Sequence, residues 1–159
     1  MTISPTTAHG QFTIDRRYAS TPMRTYAAWS EPEIRSQWFI GPEGWKLLER
    51  RQDFRVGGEE ILRGAWGDMQ TQFTARYHLI EPGARIVLVY DMHVGGRHHS
   101  VSIATVEFLP EGTGTRLRFT EQVTFVDDTK GPEGTRSREN GTDLQLVRMA
   151  EVMGVETTR

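Results

Sequence analysis

The sequence predicts an α+β domain: a seven-stranded, curved antiparallel sheet wrapped around one long C-terminal helix, with two short helices after the first strand. Apolar and polar residues alternate in seven short segments between Phe12 and Phe125, which is the period of a sheet that buries one face. Short Gly- and Pro-bearing turns separate the last six segments. Turns that short join antiparallel neighbours. The final segment then changes to helical spacing, and a long helix is the one element large enough to cover the sheet.

Taken in order, residues 1–10 are rich in Thr, Ser and Pro without apolar period, so they read as a loose tail, and one domain occupies residues 11–159. In "FTIDRRYA", Phe12, Ile14 and Tyr18 alternate with polar neighbours as in a strand. Thr21-Pro22 is a cap followed by a proline suited to a first helical turn, and Ser30-Glu31-Pro32 repeats that signal. Two short helices are expected there, the second carrying Ile34, Trp38 and Phe39 and ending at Gly41-Pro42. Strands follow in "WKLLERRQDF", "EEILRGAW", "TQFTARYHLI", "RIVLVYDMH", "HHSVSIATVEFL" and "TRLRFTEQVTF". The polar stretch "VDDTKGPEGTRSREN" reads as a solvated loop holding Arg136 and Arg138. After it, Leu146, Met149, Ala150 and Met153 recur at helical spacing.

Composition narrows the function. A chain of 159 residues suits one domain with a core. Its net charge of −2 offers no field for phosphate backbones or anionic lipid, so neither nucleic acid nor membrane is an expected partner. No apolar run approaches the roughly 20 residues of a membrane span, and "MTISPTTAHG" lacks the pattern of a secretory signal. A cytoplasmic location is expected. With no cysteine, thiolate chemistry and Cys-ligated metal are excluded. Gly57-Gly58 lacks the Lys-Ser/Thr of a phosphate loop, and no serine sits in a nucleophile elbow. No cofactor is implied, and a homodimer remains open.

Hairpin arithmetic places the candidate site. Centring one turn on Pro82-Gly83 sets Phe73, Ala75, Tyr77 and Leu79 beside Ile86, Leu88, Tyr90 and Met92, an apolar face that must be the buried one. Centring the next on Gly95-Gly96 sets His93 against His98, Met92 against His99 and Tyr90 against Val101. His99 and Val101 then point inward, with His93 and His98 outside. Pairing Phe108 with Leu117 in the last hairpin, however, turns Ala104, Val106 and Phe108 inward, the opposite parity. A β-bulge near Ile103 to Thr105 reconciles the two registers; without it His98 replaces His99 inside.

A sheet curved over one helix leaves a cavity between them. Its expected lining is Trp38, Phe73, Tyr77, Leu88, Tyr90, Met92, His99, Val101, Phe119, Glu121, Thr142, Leu146 and Met149. Trp29 is read as core. Tyr90, His99 and Glu121 are the titratable members, and burial would shift their protonation equilibria toward acid/base use, which makes them the catalytic candidates. His93 and His98 with Asp91 could hold a metal, but lie on the solvent face without a third imidazole. They read as a polar hairpin tip, and no metal site is assigned.

The strings "TPMRTYAAWSEPEIRSQWF", "FRVGGEE", "RYHLIEPGARIVLVY", "TVEFLPEGTGTRLRFTE" and "NGTDLQLVRMAEVM", in this order, resemble the START-like helix-grip superfamily, also called SRPBCC or Bet v 1-like. The nearest branch is that of heat-shock protein 90 ATPase activator homologue-like domains. The resemblance spans residues 12–153 and implies a seven-stranded sheet gripping the C-terminal helix around an apolar pocket. Members bind lipids, polyketides, hormones or other small molecules, and some are enzymes. Co-chaperone activity carries over poorly, because the eukaryotic activators use a second domain. Gly141-Thr142 stands where the family often has Gly-Trp, which implies a roomier pocket or a more open mouth. The expected function is binding of a small apolar or aromatic molecule. The alternatives are a cofactor-independent cyclase, hydrolase or isomerase using His99 and Glu121, and a protein-binding co-chaperone module.

Overall fold

Local chemistry starts the helices where the sequence signals them. In the computed structural model, which describes residues 7–159, the Thr21 hydroxyl accepts from the Arg24 amide at 3.3 Å and Pro22 opens helix α1, Pro22–Ser30. Pro32 opens α2, Pro32–Trp38. Before them runs strand β1, Ala8–Tyr18. After them come β2 (Lys46–Gln52), β3 (Glu59–Trp66), β4 (Met69–Glu81), β5 (Arg85–Val94), β6 (Arg97–Glu111), β7 (Gly114–Phe125), helix α3 (Gly131–Met153) and β8 (Thr157–Thr158). All strands form one sheet in the order β2-β3-β4-β5-β6-β7-β1-β8.

Four expectations need correction. Among the described residues the sheet has eight strands rather than seven: Thr157 and Thr158 pair with Tyr18 and Arg17, an element too short to show any alternation. The domain starts earlier than Gln11, since β1 begins at Ala8; residues 1–6 of the expected tail lie outside the described residues. Helix α3 begins ten positions before Gly141, so Arg136 and Arg138 sit on a helix and not a loop. Gly134, within that stretch, permits close approach. A Cβ on Gly134 would lie 2.5 Å from Thr129 Cγ2 and 2.7 Å from Phe125 Cζ.

The fourth correction concerns the bulge. Phe73 pairs with Met92, Ala75 with Tyr90 and Tyr77 with Leu88, as the spacing predicts, but the register then shifts and Leu79 pairs with Val87 in place of Ile86; Phe108 pairs with Leu117. Between β5 and β6, His93 opposes His98, but Met92 opposes Ser100. The extra residue is His99, toward the turn from the expected site near Ala104. From there Ser100, Ser102 and Ala104 face inward and are buried, while Ile103 is 47% exposed. Two serines at inward positions look like an outer face to any rule based on apolar alternation, and that misplaced the bulge.

Helix α3 lies along β1 on the inner face. The Tyr18 hydroxyl donates to the Leu146 carbonyl at 2.7 Å, and Arg16 donates to both Asp143 oxygens at 2.7 and 3.1 Å. Between helix and sheet the core gathers Phe12, Ile14, Val106, Phe108, Leu117 and Phe119 with Leu146, Met149 and Ala150. Trp29 and Trp38 pack edge to face at 4.9 Å. Among the described residues, no helix is long and apolar enough to cross a membrane.

Candidate functional site

A cavity of about 770 Å³ lies between the inner face of the sheet, α2 and α3. Most of its wall is apolar: Trp29, Trp38, Phe39, Trp45, Leu62, Phe73, Leu88, Met92, Phe119 and Leu146 contribute. Trp66, Met69 and Leu144 also contribute, and each is at least half exposed, so they form a greasy rim. All four tryptophans of the chain are on this wall. Gly141 and Thr142 line it too. A Cβ placed on Gly141 meets no atom within 4 Å.

Of the residues expected from the sequence, Trp38, Phe73, Leu88, Tyr90, Met92, His99, Phe119, Thr142 and Leu146 line the cavity. Four do not. The bulge turns Val101 to the outer face. Met149 is fully enclosed in the core, one turn beyond Leu146. Tyr77 donates to Glu60 Oε1 at 2.7 Å in a separate buried network. Glu121 is fully buried, beneath two residues that do reach the surface of the cavity, Tyr90 and Arg138.

That last arrangement is the polar end of the site. Glu121 Oε2 accepts from Ser102 at 2.7 Å, Tyr90 at 2.8 Å and Arg138 at 2.9 Å, and Oε1 lies 2.9 Å from the same tyrosine hydroxyl. Arg138 also donates to Tyr90 at 2.7 Å and to Ser100 at 2.7 Å. A carboxylate out of water demands such pairing. Burial, and then the neighbouring Glu121, pushes the Tyr90 phenol well above its ordinary range, with Arg138 only partly offsetting them. For Arg138, burial disfavours the charge but Tyr90 and Glu121 outweigh it and raise its pKa. Tyr90 is therefore a neutral donor and Arg138 a permanent cation, and Glu121 holds both in place.

His99 stands at the edge of the same cavity. Its Nδ1 is 2.6 Å from Asp127 Oδ2; an ionised carboxylate only accepts, so Nδ1 carries the proton. Asp127 also accepts from the Thr129 amide at 2.9 Å. Burial works against the Asp127 charge, yet the bonds from His99 and Thr129 outweigh it and hold this carboxyl well below the usual range. His99 Nε2 makes no hydrogen bond among the described residues. His93 and His98 lie outside, rings stacked at 4.6 Å, with His98 Nε2 2.8 Å from Asp91 Oδ1. Among the described residues no group of three or more His, Asp or Glu is placed to hold a metal.

A second buried pair backs the opposite wall. Arg35 Nε and Nη2 donate to Glu60 at 2.6 and 2.9 Å, both side chains being 2% exposed. The Arg35 guanidinium sits 4.1 Å from the Phe39 ring centre, 4.7 Å from that of Trp29 and 5.0 Å from that of Trp38. As residues of the site, Arg35, Trp29, Arg138 and Asp127 escaped the sequence reading, although Trp29 is the core residue expected. The signal for Arg138 was present: stepping back from Leu146 by four to Thr142 and by four again reaches 138 on the same helix face. Arg35 lies three before Trp38, again one face. Charge, taken as a mark of solvent, hid both.

Comparison with known proteins agrees with this fold. Residues 19–154 match the family model described as Activator of Hsp90 ATPase homolog 1-like protein. The crystal structure of a protein from Rhizobium loti is 36% identical with a TM-score of 0.82, over 92% of this chain and 98% of that one. An uncharacterized protein from Rhizobium leguminosarum is 35% identical with a TM-score of 0.86, over 93% and 96%. The solution structure of an AHSA1-like protein from Aeromonas hydrophila, 20% identical over 91% and 92% with a TM-score of 0.69, shares the fold. No curated protein matches. A family match across most of the chain, joined to the sheet and terminal helix, places this chain in the Activator of Hsp90 ATPase homolog 1-like family.

Proposed function

We propose that this protein binds a small, largely apolar molecule in the cavity between the sheet and α3. The observation that carries the reading is the cavity itself: about 770 Å³, within the roughly 300–1,000 Å³ of small-molecule sites, with an aromatic wall and polar groups at discrete points. A ligand there gains from burying its apolar surface against the tryptophans. Arg138, Tyr90 and His99 supply direction.

Binding fits the site better than proton-transfer catalysis. Glu121 is fully buried and does not line the cavity, its carboxylate being held by Ser102, Tyr90 and Arg138, so it does not meet a substrate proton, and the raised pKa of Tyr90 keeps that phenol protonated. His99, oriented by Asp127, then serves as a hydrogen-bonding group for the ligand. The test is a titration with the fluorescent probe 1-anilinonaphthalene-8-sulfonate, read from probe emission. Saturable one-to-one binding is expected, weakened about tenfold or more in Gly141→Phe, which fills the cavity. Absence of saturable binding, or binding indifferent to Gly141→Phe in a protein of unchanged Tm, would sink the proposal.

A further inference from the structure

Two donors on the cavity wall have no acceptor. Arg35 spends Nε and Nη2 on Glu60, and its Nη1 is buried without a hydrogen-bond partner among the described residues. The Trp29 indole Nε1 is in the same condition. Both side chains are more than nine-tenths buried, both form part of the cavity wall, and the guanidinium lies 4.7 Å from the Trp29 ring centre. Unsatisfied buried donors are rare because each costs stability. The other two unpartnered groups, the hydroxyls of Ser20 and Thr135, are not on this wall. Among the described residues, each orphaned group on a residue of this wall is thus a donor, and none is an acceptor.

Donors without acceptors define what is missing. A carbonyl or carboxylate oxygen has two lone pairs and can accept from both groups at once, and one facing a guanidinium gains from the charge. A second cation would be repelled by Arg35, and a molecule with donors alone would leave Nη1 and Nε1 as they are. Resting on the proposal that the cavity binds a small apolar molecule, we infer that its ligand is an aromatic or otherwise apolar carbonyl or carboxylate compound, whose acceptor oxygen meets the free N–H groups of Arg35 and Trp29. The surrounding rings of Trp38 and Phe39, at 5.0 and 4.1 Å from the guanidinium, favour a flat apolar body next to that oxygen.

The test uses two probes of one shape, 2-acetylnaphthalene and 2-isopropenylnaphthalene, which differ in C=O against C=CH₂. Affinity is read from quenching of the intrinsic tryptophan emission. The ketone is expected to bind about tenfold or more tightly, since a site with unpaired donors discriminates against the analogue that cannot meet them. That preference should fall severalfold in Trp29→Phe, which keeps the ring and removes the N–H. It should fall also in the double variant Arg35→Met/Glu60→Leu, which removes the pair without stranding a charge. Equal affinity for both probes overturns the inference, water then serving the donors, and leaves the cavity proposal standing. A ketone preference unchanged in both variants overturns it as well. If neither probe binds, the cavity proposal falls and the inference with it.

Discussion

Glu121 carries a charge into a place without water, and Arg138 is what makes that tolerable. Removing one partner strands the other: Glu121→Gln or Arg138→Met should each cost about 3–5 kcal/mol, measured as the shift in urea unfolding. The double replacement Glu121→Leu/Arg138→Met should cost far less than the sum, a coupling that a double-mutant cycle reads directly. A sum that adds simply would show that the pair does not interact. Asp127 makes a pH prediction. Its folded pKa is depressed, so between that value and the unfolded value of about 4 the unfolded chain binds more protons. The stability it contributes is present above about pH 4 and is lost as pH falls through the folded pKa. Acid unfolding followed by circular dichroism should show a shallower stability loss below pH 4 in Asp127→Asn than in the wild type. The inward direction of His99 was legible from strand alternation, but its partner was not. Asp127 lies 28 positions away, in a stretch with no periodicity to fix where a side chain points.

At the scale of elements, α3 divides into two kinds of surface. Its second half, with Leu146 and Met149, announces itself by apolar period. Its first half faces the polar end of the cavity through Arg138 and so shows none, which is why the helix looked ten residues shorter. Glycines in the hidden half differ in consequence. Gly141→Ala meets open space and should stabilise the protein by about 0.5–1 kcal/mol through helix propensity. Gly134→Ala must push against Phe125 and Thr129 and should destabilise it by about 1–3 kcal/mol. Thermal unfolding of the two variants would separate them in sign. The first seven strands and the short helices were legible because each carried both a period and a boundary signal: Thr-Pro and Glu-Pro where the helices start, Gly and Pro at the turns.

For the whole molecule, the sheet order sets a gradient of support. β7 and β1 lie against α3, tied by Tyr18 to Leu146 and by Arg138 to Glu121. β2 is an edge strand with β3 as its one neighbour, and none of its residues is buried. Native-state amide exchange should be slowest in β7, β1 and α3 and fastest in β2, with β3 intermediate. Uniform protection across the sheet would refute that ordering. The overall architecture could be read in advance because it follows from one face of each strand needing cover, and only one helix can give it. The two buried ion pairs could not, since a linear pattern does not reveal which charges will meet.

The bulge leaves His99 in an unusual position. On either side of it the ladder is regular, His93 with His98 and Met92 with Ser100, so a chain lacking residue 99 would close into a straight hairpin with Ser100, Ser102 and Ala104 still facing inward. The β5–β6 ladder is thus one link longer than its own pairing requires, and the carbonyl of that link turns instead to the Val126 amide at 3.0 Å. Released from one ladder and anchored beside another, the extra residue ends in an imidazole at the edge of the cavity, packed on Phe125 at 5.4 Å.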